Sequence, residues 1–523
     1  GSLDIGDVES AFTTNGSNTE SSGSGTFSGL SSMIFGNGGA GDLNVGQTSA
    51  AVGANAEGTA TVVIDQVFSV DIEGDFDLGQ TSGDGTSAGS GIGTVSNIGG
   101  TFAIAGDLDV GQTSAGATGN NSGSGQLNVT GAGTFRVAMD VDVAQSTGGG
   151  ASSGIGVLQI NDVNSIDIGD SIDVGKIRAF GTASNQANGQ LTISNSDAMV
   201  GFDAANPGSI EIARVLTSET ALGQGVGTVR IVNSGVDVAN DVVVGELALG
   251  GSQPSNFASA RLELVDSKLD ARDISVAQRL DGTAGNLDGT IDLSRSLLVA
   301  QGLLQLSNQS TLTMRIDGTD RALGGGLPSE YAAVDADMAS LAGGLEVLTE
   351  ASYLGPANRG NQDSFDLIST VFGNTGSFND VTFDGVNLGN SFTYVGETQG
   401  GEDGLFAKVS QDASGVSLST YLALPGDANG DLVVDGQVFI VWNIFKFSSG
   451  TDWASGDFNG DGLTDGQDFV IWNGFKFTSA QAPAVPEPSA GIVCWGMGLV
   501  LGLVGRRRQR RRGLGVVDLG STP

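Results

Sequence analysis

One phrase that returns along the first 300 residues constrains this chain more than any other feature. It reads GDLNVGQTSA from Gly41, GDFDLGQTSG from Gly74 and GDLDVGQTSA from Gly106. Looser copies are MDVDVAQSTG from Met139, DSIDVGKIRA from Asp170, SIEIAR from Ser209, NDVVVGE from Asn240, RDISVAQR from Arg272 and SLLVAQG from Ser296. A small residue closes each copy: Gly46, Gly79, Gly111, Ala144, Gly175, Ala213, Gly245, Ala277 and Ala300. The spacings between them are 33, 32, 33, 31, 38, 32, 32 and 23 residues. Periods of roughly 20–50 residues belong to stacked units.

Each unit holds about three short runs in which apolar and polar residues alternate, as in a strand. In one unit they are GQLNVT from Gly125, GTFRVA from Gly133 and MDVDVAQ from Met139, separated by corner formers. Strands this short are not stable alone. Stacking pairs their backbone groups and buries the Val, Leu and Ile rows. The expected fold class is mainly β: a right-handed parallel β-solenoid of nine or ten coils over residues 1–318. A β-propeller is the rival, but its blades take four strands over about 40–50 residues. The stretch GQTSAGATGNNSGSG from Gly111 reads as a loop that closes the coil and stacks as a hydroxyl-rich flank. Asp107 and Asp109, like Asp140 and Asp142, fall on one face by the period of two, an outward and solvated one.

Charge and missing residue types narrow the function. The 59 acidic and 22 basic residues give a formal charge of −37, which repels nucleic acid and favours cations. Histidine is absent, so Ser-His-Asp triads and His-ligated zinc are excluded. The single cysteine, Cys494, excludes an internal disulfide. Carboxylate-only catalysis stays open, so a carbohydrate-active β-helix lyase or hydrolase, or a carbohydrate-binding scaffold, is the alternative to a structural role. A catalytic pair should be singular, whereas these aspartates recur coil after coil. The chain opens at Gly1 with no export signal, and the expectation is a processed or missing N-terminus.

Residues 319–424 carry longer strand-like runs, including LEVLTEASY from Leu345 and FTYVGE from Phe392, and are expected to cap the stack. Gln362, Asp363, Ser364 and Phe365, then Gly376, Ser377 and Phe378, resemble the closing segment of large exported solenoid proteins.

The sharpest local signal follows, over residues 425–478. GDANGDLVVDGQVFIVWNIFKF from Gly426 and GDFNGDGLTDGQDFVIWNGFKF from Gly456 are two copies of one plan, offset by 30 residues. Each sets oxygen-bearing residues at loop positions one, three, five and nine ahead of an apolar helix. Ca²⁺ takes six to eight hard oxygen ligands from such a loop. In the second loop the expected ligands are Asp457, Asn459, Asp461, the Leu463 carbonyl, Asp465 and, at position twelve, Asp468, with Gly462 at the sharp turn. In the first they are Asp427, Asn429, Asp431, the Val433 carbonyl and Asp435. There Leu432 replaces the turn glycine and Val438 replaces the final carboxylate, so the first loop is expected to bind Ca²⁺ more weakly. Trp442, Phe445, Phe447, Trp472, Phe475 and Phe477 are expected to form the shared core of two packed helices. Residues 448–456 read as a short linker.

This pair resembles the dockerin module. The resemblance implies calcium-dependent folding and docking onto a cohesin-like partner. Gly436, Gln437, Gly466 and Gln467 stand at positions ten and eleven, where that family commonly carries hydroxyl-bearing residues. After a linker over 479–488, the order Pro486-Glu487-Pro488, an apolar stretch from Ala490 to Val504, and Arg506 to Arg512 resembles the PEP-CTERM sorting signal. That implies export, a transient membrane helix within 489–512, sorting machinery as a partner, and removal of the tail. Residues 513–523 are expected to be disordered. The combination is similar to large exported proteins of planctomycete-type bacteria. The function expected is that of an exported cell-surface structural or adhesive protein with a calcium-dependent docking module, in contact with another surface component or an extracellular polysaccharide.

Overall fold

The computed structural model describes residues 2–480, apart from 7, 11–17, 37–40, 203–206, 219, 250–254, 281–284, 323–329, 351–352, 354 and 398–402. The repeated phrase builds a parallel β-solenoid of about 10 turns. One wall is a sheet of long strands. Asn55–Asp65, Thr86–Ser96, Asn120–Thr130, Ala151–Asn161, Ser184–Ser194 and Leu222–Val232 each span 11 residues. Each pairs with the next in parallel. The other wall holds the short strands, such as Thr101–Ile104, Leu108–Val110 and Thr113–Ala115 of one coil.

The Gly/Ser/Thr stretch after Gly111 departs from the expected loop. It supplies the strand Thr113–Ala115 and the first half of Asn120–Thr130. Neighbouring coils offer every backbone N–H and C=O a partner whatever the side chain, so hydroxyl and glycine residues become strand. Glycine is needed where two walls meet. A Cβ on Gly125 would lie 2.4 Å from both the Gly111 nitrogen and the Leu78 oxygen.

The corners repeat in columns. Gly46, Gly79, Gly111, Ala144, Gly175, Ala213, Gly245 and Ala277 all take positive φ, between 52° and 81°. These are eight of the nine small residues that close the phrase. The ninth, Ala300, lies inside the strand Leu297–Leu306. A second column follows the long strands at Gln66, Asn97, Gly131, Asp162, Asn195, Asn233, Asp266 and Arg295, again with positive φ. Gly111→Val should therefore lower stability by about 2–4 kcal/mol, because a β-branched side chain resists this φ and meets the Ile155 carbonyl. Thermal unfolding followed by circular dichroism would check this. An unchanged midpoint would contradict the left-handed corner.

Inside, the aliphatic rows stack into one continuous core, with Phe76, Phe102 and Phe135 in successive coils at centroid distances of 6.2 and 5.4 Å. The aspartates of the phrase do not form the solvated face expected of them. Asn44, Asp77, Asp109, Asp142, Asp173 and Glu211 stand in register in six successive coils. The four aspartates are only 5–8 % exposed. Parallel stacking covers each carboxylate with those above and below it. A row formed by Gln80, Gln112, Gln145 and Lys176 runs alongside. Gln112 donates to Asp109 at 3.1 Å and Gln145 to Asp142 at 3.1 Å, and Lys176 pairs with Asp173. The other aspartate of each pair staples coils together: Asp107 accepts from the Asp140 amide at 3.0 Å, and Asp140 from the Ser171 amide at 2.9 Å.

Parallel stacking continues past residue 318. Ala333–Leu341 pairs with Leu297–Leu306, Gly344–Thr349 with Ser310–Ile316, and Asp380–Phe383 with Gly344–Thr349. The stack ends at Gln362–Thr370, which is parallel to Ala333–Leu341 on one side and antiparallel to Gly415–Leu422 on the other. Gly404–Asp412 and Thr393–Glu397 complete this antiparallel cap. Phe365, from the expected closing motif, is buried edge-on against Tyr331 and Tyr353 at 5.2 and 5.5 Å. Two helices follow, α1 (Gly436–Phe445) and α2 (Gly466–Phe475). The apolar stretch from Ala490 to Val504, Cys494 and the arginine block lie outside the described residues. Among the described residues, no helix is long and apolar enough to cross a membrane.

Candidate metal centre

The two copies fold as a pair of loop–helix units related by their sequence repeat. Asp435 and Asp465, at loop position nine, cap α1 and α2 by accepting from the Gln437 and Gln467 amides, both at 2.7 Å. The helices are tied by reciprocal tryptophans. Trp442 Nε1 donates to the Asp465 carbonyl at 2.8 Å, and Trp472 Nε1 to the Asp435 carbonyl at 3.0 Å. Phe439 and Phe469 fill the space between them: Phe439 lies 5.0 Å from Trp472 and Phe469 lies 5.1 Å from Trp442, centroid to centroid.

Of the six aromatics expected in the core, Trp442 and Trp472 are packed between the helices and the four phenylalanines are exposed. Phe447 and Phe477 are 80 % and 81 % exposed, and Phe445 and Phe475 are about 40 % exposed. Both Lys446 and Lys476, just before the last phenylalanines, have left helical geometry, so Phe447 and Phe477 no longer follow the helix face. Residues 448–456 are more than a linker. Ser448–Ser449 pairs with Leu463–Thr464, and a 3₁₀ turn, Trp453–Ser455, buries Trp453.

In the loops the carboxylates fold onto their own backbone. Asp457 accepts from the Gly460 and Gly462 amides at 2.9 and 2.7 Å, and Asp427 from those of Gly430 and Leu432 at 2.9 and 3.1 Å. Asp431 and Asp461 each accept from the amide two residues on, at Val433 and Leu463, at 3.0 Å. Asn459 Oδ1 accepts from the Asp461 amide at 3.1 Å. Among the described residues, no three acidic or sulfur-bearing side chains converge closely enough to hold a metal ion.

Asp468, expected at position twelve of the second loop, staples that loop to its own backbone. Its Oδ1 accepts from the Phe458 and Asn459 amides at 2.8 and 3.3 Å, and its Oδ2 from the Asp465 amide at 2.7 Å. One atom behaves otherwise. Asn429 Oδ1, at position three of the first loop, is buried and has no hydrogen-bond partner. A buried oxygen without a partner is of the kind a cation can satisfy, and Asp427, Asp431, Asp435 and the Val433 carbonyl of the same loop are donors of the hard-oxygen type that Ca²⁺ takes, although in this structure they do not converge on one point.

Nothing in the first loop's own residues signals how firmly the cap holds it. Tyr421, from the last cap strand, donates to Asp427 Oδ2 at 3.0 Å, and Trp453 Nε1 donates to the Asp427 carbonyl at 2.9 Å. Burial pushes the Asp427 carboxyl up to about 6. Val438, in place of a position-twelve carboxylate, is fully buried in a cluster with Phe406, Tyr421, Trp453 and Phe458. Where the second loop carries Asp468, the first thus carries an apolar anchor onto the solenoid cap. No protein-family model, curated protein or solved structure matches this chain.

Proposed function

We propose that this is an exported cell-surface structural or adhesive protein, in which the long solenoid is a spacer and the paired-loop module docks a partner when its loops hold Ca²⁺. The exposed apolar face of the module carries this reading. Ile440, Ile444 and Phe447 on one half, and Val470 and Phe477 on the other, are 57–81 % exposed. Large apolar side chains left this exposed mark an interaction site. The repeat duplicates the face in part: Ile440 and Phe447 match Val470 and Phe477, whereas Gly474 stands where the first half has Ile444. Bound Ca²⁺ would neutralise the gathered carboxylates. Asp427, Asn429, Asp431, Asp435 and the Val433 carbonyl would hold it in the first loop. Asp457, Asn459, Asp461, Asp465 and the Leu463 carbonyl would do so in the second, with Asp468 holding that loop closed.

The ordered Pro-Glu-Pro, apolar and arginine blocks of the tail support export and membrane sorting. The test is sedimentation of the purified chain with envelope fragments of the producing cells, in calcium or in chelator. Calcium-dependent association, reduced at least about tenfold by Phe447→Ser with Phe477→Ser, is the expected result. Association that persists in chelator, or that ignores both substitutions, would remove the docking role.

A further inference from the structure

Where the solenoid gives way to its cap, a groove of about 780 Å³ opens between the last turns of the stack and the strand Gly404–Asp412. Its volume lies in the range of roughly 300–1,000 Å³ usual for ligand sites. The floor is apolar, made by Phe378, Val381, Leu388 and Val409, which are half-buried and pack against the main core. The rim is rich in amides: Asn374, Asn379, Asn390 and Gln411 line it, with Lys408 and Asp412 beside them.

Three of these amides are held in place. Gln411 Nε2 donates to Asn374 Oδ1 at 3.0 Å and to the Gly376 carbonyl at 2.6 Å, and Asn374 Nδ2 donates to the Asp412 carbonyl at 2.5 Å. Asn379 Nδ2 donates to Asn308 Oδ1 at 3.1 Å, which ties the opposite wall to an earlier coil.

We infer that this groove binds a neutral oligosaccharide chain. An amide presents a donor and an acceptor side by side, the pattern that vicinal hydroxyls match. A half-exposed phenylalanine on an apolar floor suits the C–H face of a sugar ring. Lys408 adds a donor and Asp412 an acceptor, so the rim can satisfy hydroxyls in either sense.

Two other occupants fit less well. The formal charge of −37 opposes an acidic polymer. An added peptide strand is the second. Thr393–Glu397 pairs only as far as Ala407, so Lys408–Asp412 has a strand on one side alone among the described residues. Such an edge could accept another strand. Here, however, the Asn374 side chain already occupies the Asp412 carbonyl, and Gln411 holds that side chain in place.

The test uses the full chain in isothermal titration against cellohexaose, mannohexaose, xylohexaose and maltohexaose. Hexagalacturonate and an extended hexapeptide serve as the competing classes. Saturable binding of at least one neutral hexasaccharide is expected. Phe378→Ala should weaken it about tenfold or more. Because Phe378 also touches the core, Asn390→Ala, which alters only the exposed rim, provides a second variant and should weaken binding about threefold or more, with the unfolding midpoint unchanged. The inference is overturned if none of the four neutral sugars binds, if neither variant changes the affinity, or if only the hexagalacturonate or the peptide binds. None of these outcomes depends on calcium loading or on Phe447 and Phe477, so they separate cleanly from the docking role.

Discussion

Acidification from pH 8 to pH 5 will stabilise the N-terminal coils by about 4 kcal/mol through the buried aspartate column. Burial raises the Asp77 carboxyl from an ordinary 3.8 to about 7 and that of Asp142 to about 6. Burial also lifts Asp109 and Asp173 well above the usual range; Asp142 and Asp77 next to Asp109 push it further up. Asp107 and Asp140 flank the column, and Lys176 at its end is the facing cation. These carboxyls bind protons more tightly folded than unfolded. Their contribution is complete below the unfolded value near 4, and the share of Asp142 and Asp77 is lost as pH rises through about 6 and about 7. Acid also relieves general repulsion in so anionic a chain, so one substitution must separate the two effects. Asp109→Asn removes one buried charge and keeps a hydrogen-bonding group of the same shape, as Asn44 already does at the equivalent place one coil beyond Asp77. It should raise stability at pH 8 and make the profile from pH 5 to pH 8 less steep, because one buried charge that opposes folding at high pH is gone. Hydrogen exchange at 76–78 and 108–110 across that range would measure this directly. A variant profile as steep as that of the parent would show that the column stays charged.

Asp468→Ala will cost the module about 3–5 kcal/mol even in chelator, because three backbone amides lose their acceptor and α2 loses its capping box. The same change will also weaken Ca²⁺ binding at the second loop, since that loop is closed by this carboxylate. Val438→Ala acts elsewhere. It opens a cavity under Tyr421 and Trp453 and should cost about 1–3 kcal/mol by loosening the module from the cap. Calorimetric melting in chelator, followed by calcium titration of the folded variants, tests both. If Asp468→Ala melts like the parent in chelator, its carboxylate is not the staple described above.

The period of the phrase, its small closing residues and its alternating valines were enough to determine a stacked β-solenoid, because in such a fold each coil meets only copies of itself. The paired loops were equally legible, since their spacing is local and their helix caps fall at Asp435 and Asp465. What depends on neighbours distant in sequence was decided by the tertiary structure. Asp109 looks solvent-facing in its own strand and becomes buried because Asp77 and Asp142 lie directly above and below it. The glycine–serine run before Gly125 reads as loop and becomes strand because the coils on either side supply its hydrogen-bond partners. Val438 reads as a lost ligand and becomes an anchor because Tyr421 and Trp453 close over it, a contact that only the meeting of cap and module creates.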